Sequence, residues 1–442
     1  MSSNVSTLRI TSLDRLHEEY GDFVRTGPNE LTIFAPDIFS TIYEGLSNKV
    51  KKPAWYDIAS PFIGLTNVRD FKAHATQRRT WDNALTLVTY QNNIRACAQR
   101  LEELIDQNGS DCVTVNDYFC WSSFDVMGYI AFSRSFDMLS KKQLHPAARM
   151  IRSGMSLLGP FSPAPWLIRL GFEMPLHPAA RSLHRLLSWC STQMDERILQ
   201  EPQTRDISSE LIKEFQRSSS AHRDRFSLCG NALSTIVAGS DTIGTTLVYM
   251  FYRLAKHQEH TRKIQEELEV SASTHDFAVL QKLQHLNGVI NEVLRLHPAA
   301  PTGGLRETPR EGAFICGRFI SGNVTICAPR YTIGRLESCF ERANDFVPER
   351  WYSKPNMVKN KGAFAPFASG RFGCVGKSLA LMELRYVTAL LVSRYDVGFA
   401  PGKSGHRVED DMIDQFTAGP GVLNLVFTRR GRISPDYSDW TP

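Results

Sequence analysis

No other stretch of this chain limits its structure as tightly as FAPFASGRFGCVGKSLALMELR, residues 364–385. Gly370, Gly373 and Gly376 surround a single cysteine, Cys374, and strong helix formers follow at once. Glycine lets a backbone turn tightly and lets a flat ligand approach without meeting a Cβ. A cysteine beside a helix N-terminus sits where the dipole and free N–H groups favour thiolate over thiol. Such a sulfur serves as a nucleophile or a metal ligand. An isolated Cys in a Gly-rich turn reads as a small buried hydrophobe. The full pattern Phe367-x-x-Gly370-x-x-x-Cys374-x-Gly376 sets this one apart.

The other eight cysteines, at 97, 112, 120, 190, 229, 316, 327 and 339, form no Cys-x-x-Cys pair. That excludes a zinc ribbon and a thioredoxin-like motif, and it predicts a reduced, intracellular chain whose remaining cysteines are packing residues. With 42% hydrophobic and 22% charged residues, the composition excludes a disordered, collagen-like or polytopic membrane chain. A net charge of +5 is too mild to argue for nucleic acid, yet it allows a basic docking patch. The N-terminus has no apolar stretch of signal-peptide or membrane-span length. The nearest apolar run, Gly154 to Phe172, is broken by Pro160, Pro163, Pro165 and Arg169.

Leu31, Ile33 and Ala35 alternate with polar residues as in a half-buried strand. From 74 to 280 the pattern is helical, with Pro-rich breaks near 160–178. Asp117 to Met138 reads as a buried helix pair. Phe226 to His257 reads as one helix about 45 Å long. Leu283, Leu286, Ile290 and Val293 mark another, stopped by Pro298. Residues 313–328 read as a hairpin turning at Ser321-Gly322-Asn323, and 377–395 as a last helix. No repeat or linker interrupts the chain. The expectation is one mainly α domain over 1–442 with minor β-sheets.

Three further constellations carry chemistry. Ala238-Gly239-Ser240-Asp241-Thr242 sets an acid beside a hydroxyl, a pair able to relay protons. Gly239 and Gly244 weaken the helix there and are expected to open a groove beside a ligand. Glu292 and Arg295 share a helix face at i, i+3. His74 and Arg78 share one at i, i+4, placed to grip carboxylates.

In order and spacing, these segments resemble the cytochrome P450 superfamily from about residue 14 to 430. HEEYGDFVRTGPNEL, SFDVMGYIAF, HATQRRTWDNAL and KSLALMELR give the flavour of fungal enzymes of secondary metabolism. The resemblance implies a mainly α triangular-prism fold enclosing haem b, with Cys374 as the axial thiolate ligand to iron. Phe367, Gly370 and Gly376 would shape the cofactor loop, and His74, Arg78 and Arg306 would meet the haem propionates. Glu292, Arg295 and Arg350, the last from FVPERW, would form a buried support. Asp241 and Thr242 would deliver protons during oxygen activation. The implied activity is monooxygenation of a lipophilic small molecule, such as a terpenoid or polyketide, with O2 and NADPH–cytochrome P450 reductase. A haem-thiolate isomerase, dehydratase or peroxygenase, or a non-catalytic haem-binding relative, is the alternative.

Arg79, Arg371 and Lys377 would form the basic face for the reductase. Substrate would meet 55–70, 150–215, Val237–Thr242, 300–305 and Phe416–Pro420, with Phe62, Ile63, Leu157 and Phe161 making the pocket apolar. The 154–172 segment would dip into a membrane surface. Family members of this kind locate to the endoplasmic reticulum through an N-terminal anchor that this chain does not contain. Two departures stand out: Phe372 occupies a position where the family usually has Arg, and Ile243 replaces the usual second hydroxyl.

Overall fold

The structure, a computed structural model, describes residues 7–431 apart from 86, 159–164, 175–177, 200–205, 218–220 and 272–274. Phe161 and the prolines at 160 and 163 therefore lie outside the described residues. Helices dominate, as expected. Phe71–Ala84, Leu87–Asn108, Val115–Phe132, Pro178–Leu199, Thr242–Lys256, Gln258–Ser271, Gln284–Leu296 and Lys377–Arg394 are the main ones. One apolar cluster runs from Leu65 to Phe427 and includes Ile236 and, in the almost wholly buried helix Thr242–Lys256, Leu247, Val248 and Phe251.

The β structure is minor. A four-stranded sheet orders Phe23–Gly27, Glu30–Ile33, Thr325–Cys327 and Arg306–Glu307. Its middle pair is parallel, Leu31 facing Ile326. A three-stranded sheet places Asn424–Arg429 between Val113–Thr114 and Tyr395–Phe399.

Local chemistry explains both the successes and the corrections. The 284–296 helix ends at His297, whose φ of −129° leaves the helical region just before Pro298. The hairpin turns earlier than the sequence predicted, at Cys316-Gly317, where both φ values are positive (46° and 79°). That is the geometry of a two-residue primed turn, and it pairs Ile315 with Arg318. Residues 321–323 instead release the chain toward Thr325–Cys327. The 117–138 region is one helix, Val115–Phe132, closed by left-handed Ser133 (φ 54°). A single further turn, Met138–Lys141, has its first N–H groups capped by Asp125 at 3.1 and 3.0 Å. The long helix is also interrupted: Val237–Asp241 forms a π-helical turn between Ala221–Ile236 and Thr242–Lys256.

Most cysteines pack as expected, five of them fully buried, but Cys112 is exposed alongside Cys374. One buried acid is unusual. Glu383, inside the 377–394 helix, has an Oε1 without a hydrogen-bond partner, and burial pushes its carboxyl from 4.5 up to about 8. A raised carboxyl favours the fold while protonated. Its contribution is complete below pH about 4.5 and lost as pH rises through about 8. We expect wild type to lose about 4 kcal/mol relative to Glu383→Gln between pH 5 and 8 in urea unfolding. Parallel pH profiles would refute this assignment.

Candidate active site

Cys374 sits at the end of a loop built by three constraints. Gly370 adopts φ +64° with its α-carbon against the Tyr43 carbonyl, where a Cβ would collide. The Cys374 N–H donates to the Phe367 carbonyl at 2.8 Å, closing the turn, and the Arg330 Nε holds the Ala365 carbonyl at 2.8 Å. Gly376 then precedes the helix Lys377–Arg394. Its φ is an ordinary −85°, so conformation does not require glycine. A Cβ there would stand 3.9 Å from the Cys374 sulfur, an ordinary van der Waals contact. Protein surrounds the sulfur, yet solvent reaches it. Burial pushes the free thiol up, against the expectation of a ready thiolate. The N–H groups of Gly376 and Lys377 and the charges of Arg78 and Lys377 oppose that shift without reversing it.

Behind the loop lies a fully buried ion network. Glu292 accepts from Arg295 Nη2 at 2.7 Å and Nε at 2.9 Å, Arg350 Nε at 3.0 Å, Val347 N–H at 2.9 Å and Trp351 Nε1 at 2.9 Å. Arg295 also holds the carbonyls of Gly334, Ala343 and Asp345, and Arg350 those of Glu341 and Arg342. Gly288 admits this arrangement, because a Cβ there would stand 2.8 Å from the Pro348 carbonyl. The Trp351 ring lies 4.3 Å from that of Phe364, at the start of the cysteine loop. Glu292, Arg295 and Arg350 thus meet, and they support the loop through Trp351.

The basic residues also converge. Arg306 is buried with Nε unpartnered, and its guanidinium lies 4.8 Å from the Phe372 ring centre. His74 packs edge-on to the same ring at 4.7 Å. Burial, then Lys52 and Arg78, bring His74 down to about 4. Arg78 Nη1 donates to the Gly373 carbonyl at 2.6 Å, tying its helix to the cysteine loop. The sequence reading missed Lys52. It is buried against the carbonyls of Leu65 and Thr66, 5.1 Å from the Phe372 ring centre, and burial and Arg306 lower it to about 7. The only sequence signal was its place in Lys51-Lys52-Pro53, which is indistinguishable from a surface basic pair. His74, Arg78 and Arg371 also line a cavity of about 370 Å³. Arg79 and Lys377 are exposed, while Arg371 bonds Asn48.

The Asp241–Thr242 pair is less direct than the sequence implied. Asp241 accepts from Thr417 Oγ1 at 2.5 Å, and burial raises its carboxyl. Thr242 Oγ1 donates to the Ala238 carbonyl at 2.7 Å, inside the π turn. Gly239 and Gly244 do not open a ligand groove. Their missing side chains admit the 115–132 helix: added Cβ atoms would stand 2.5 Å from Met127 Sδ and 3.1 Å from Ser123 Oγ. Three of the expected substrate regions do meet, since Trp55 stacks on Phe416 at 5.0 Å and both pack with Leu305.

The donor set suits a flat group carrying a thiophilic metal and acidic substituents. It offers an exposed cysteine in a glycine-rich loop and buried cations with no carboxylate among the Lys52 and Arg306 contacts described above. The comparisons agree. The cytochrome P450 family model matches residues 5–424. The cytochrome P450 monooxygenase orf5 of Eupenicillium brefeldianum is 35% identical over 422 residues, covering 95% of this chain and 85% of that protein. Tryprostatin B 6-hydroxylase of Aspergillus fumigatus is 35% identical over 427 residues, covering 95% and 76%. A crystal structure of the cytochrome P450DA heme domain superposes with a TM-score of 0.80 at 16% identity, covering 96% of this chain and 93% of that one. The chain belongs to the cytochrome P450 family and is a monooxygenase, an oxidoreductase that incorporates oxygen from O2.

Proposed function

We propose that Cys374 is the axial ligand of haem b and that the chain, as one catalytic domain, hydroxylates a lipophilic product of secondary metabolism. The observation that carries this reading is the exposed Cys374 in its glycine loop, with Arg78 bonded to that loop and Arg306, His74 and Lys52 gathered around Phe372. When bound, a thiolate-ligated haem supplies dioxygen activation, with electron density pushed toward O–O cleavage. On coordinating a metal the thiol would release its proton to solvent, and the Gly376 and Lys377 N–H groups would hold the charge left on the sulfur. Arg306, Arg78, His74 and Lys52 would receive the propionates, with Lys52 and Arg306 bringing positive charge where Phe372 cannot.

Asp241, whose carboxyl burial pushes up, would relay a proton to its neighbour Thr242, whose hydroxyl would turn from the Ala238 carbonyl to pass it on. Thr242→Ala is expected to keep consuming NADPH while product per NADPH falls at least about tenfold. Unchanged coupling would remove Thr242 from the mechanism. Electrons come from an NADPH-dependent flavoprotein reductase. Exposed Arg79 and Lys377 offer its acidic surface a basic landing. Turnover that needs neither NADPH nor reductase would overturn that assignment.

Trp55, Phe416 and Leu305 make an apolar wall suited to a lipophilic substrate. Among the described residues no helix is long and apolar enough to cross a membrane. The helix Pro165–Glu173 exposes Trp166 (65%) and Leu170 (42%) one turn apart, followed by Met174 (52%). That face supports peripheral contact with the cytosolic side of the endoplasmic reticulum membrane.

A further inference from the structure

Glu349 precedes Arg350 of the buried network, yet its own side chain faces elsewhere, toward two histidines from two helices. His260 belongs to Gln258–Ser271 and His285 to Gln284–Leu296. His260 Nδ1 lies 3.3 Å from His285 Nε2 and 3.8 Å from Glu349 Oε1. One ligand atom from each of the three residues falls within 4.8 Å of the others. We propose that His260, His285 and Glu349 form a binding site for a divalent transition-metal ion of the zinc class.

The distances carry the argument. Zinc–nitrogen bonds of about 2.0–2.1 Å at tetrahedral angles put two nitrogens about 3.3–3.4 Å apart. The two imidazoles already hold that separation, and the carboxylate, 3.8 Å from His260 Nδ1 and within 4.8 Å of the His285 ligand atom, would have to close on both. Both rings are 5% exposed, and their rings stack at 5.2 Å between centres. The Tyr352 hydroxyl lies 2.9 Å from His285 Nδ1 and orients that ring from behind, while the Phe346 backbone bonds to His260. Two imidazoles and one carboxylate are a zinc donor set with room for a fourth ligand. A solvent-open cavity of about 430 Å³, lined by His285, Tyr352, Lys263 and Glu267, provides both the entry path and the water.

One group competes. Lys263 Nζ donates to Glu349 Oε1 at 2.5 Å. Its side chain is 47% exposed, so it can swing into solvent and remain protonated when the metal takes its place. Occupancy would clasp the 258–271 and 284–296 helices to the turn that presents Arg350.

The test uses the haem-loaded protein, dialysed to equilibrium against buffered Zn²⁺ and then analysed for metal content and zinc-edge X-ray absorption. We expect one zinc per chain with two imidazole nitrogens in its shell. His285→Ala should weaken binding at least about tenfold, and Tyr352→Phe by about tenfold through loss of orientation. Lys263→Met keeps all three donors and removes the competitor, so it should bind zinc several-fold more tightly. That gain cannot arise from misfolding, and an unchanged ferrous–carbon monoxide spectrum checks the fold. No stoichiometric zinc at micromolar free ion, or zinc binding indifferent to both His285→Ala and Lys263→Met, would overturn the site.

Discussion

Cys374→Ala will eliminate the red-shifted Soret band that thiolate ligation gives the ferrous–carbon monoxide complex, and product formation with it. The expected loss is total, because no other described cysteine stands where this one does. Cys97, Cys190, Cys229, Cys327 and Cys339 are buried, and the thiols of Cys97, Cys190 and Cys229 are pushed strongly up by burial. Cys112 is exposed but precedes the strand Val113–Thr114, outside the glycine loop. Cys112→Ala should therefore leave the band intact and serves as the matched control. Persistence of the red-shifted band in Cys374→Ala would sink the ligand assignment, whatever happened to activity.

Glu292→Gln is expected to destabilise the haem-loaded protein by about 3–5 kcal/mol in denaturant unfolding. Both guanidiniums of the network are fully buried, and Glu292 is their shared counter-charge. An amide of the same shape removes that charge and turns one accepting oxygen into a donor facing donors. A fold with a net stability of about 5–15 kcal/mol has little room for such a loss. Because Trp351 spans from Glu292 to Phe364, the fraction of protein showing the thiolate spectrum should fall alongside stability. A variant within about 1 kcal/mol of wild type would show that the carbonyls around Arg295 and Arg350 suffice without the acid.

Much of this was written in local pattern. The 284–296 and 377–394 helices follow from apolar spacing and their stop signals, and the cysteine loop from glycines whose spacing has few other uses. Glu292 and Arg295 were legible as a pair because helical geometry fixes i, i+3 neighbours. What escaped depends on partners distant in sequence. Gly239 and Gly244 serve the 115–132 helix, which nothing near them announces. Asp241 accepts from Thr417, 176 positions away, a partner that nothing near it in sequence announces. The hairpin turns on Cys316, a residue that seldom adopts positive φ, while Ser321-Gly322-Asn323 carries the stronger turn composition. Lys52 and His74 have unusual charge states only because the fold buries them together. Residue type alone assigns them ordinary ones.

The Glu292 network also bears on the order in which the molecule is made. Its donors at Val347, Arg350 and Trp351 lie 55 to 59 residues beyond Glu292, so closing it joins segments across a long loop. Such contacts carry a large loop-closure entropy and form after local helices. Since Trp351 is the link to Phe364, the cysteine loop takes its final shape only once that long loop has closed. If Cys374 holds haem as proposed, the loop that would receive it is completed late, after the local helices have formed.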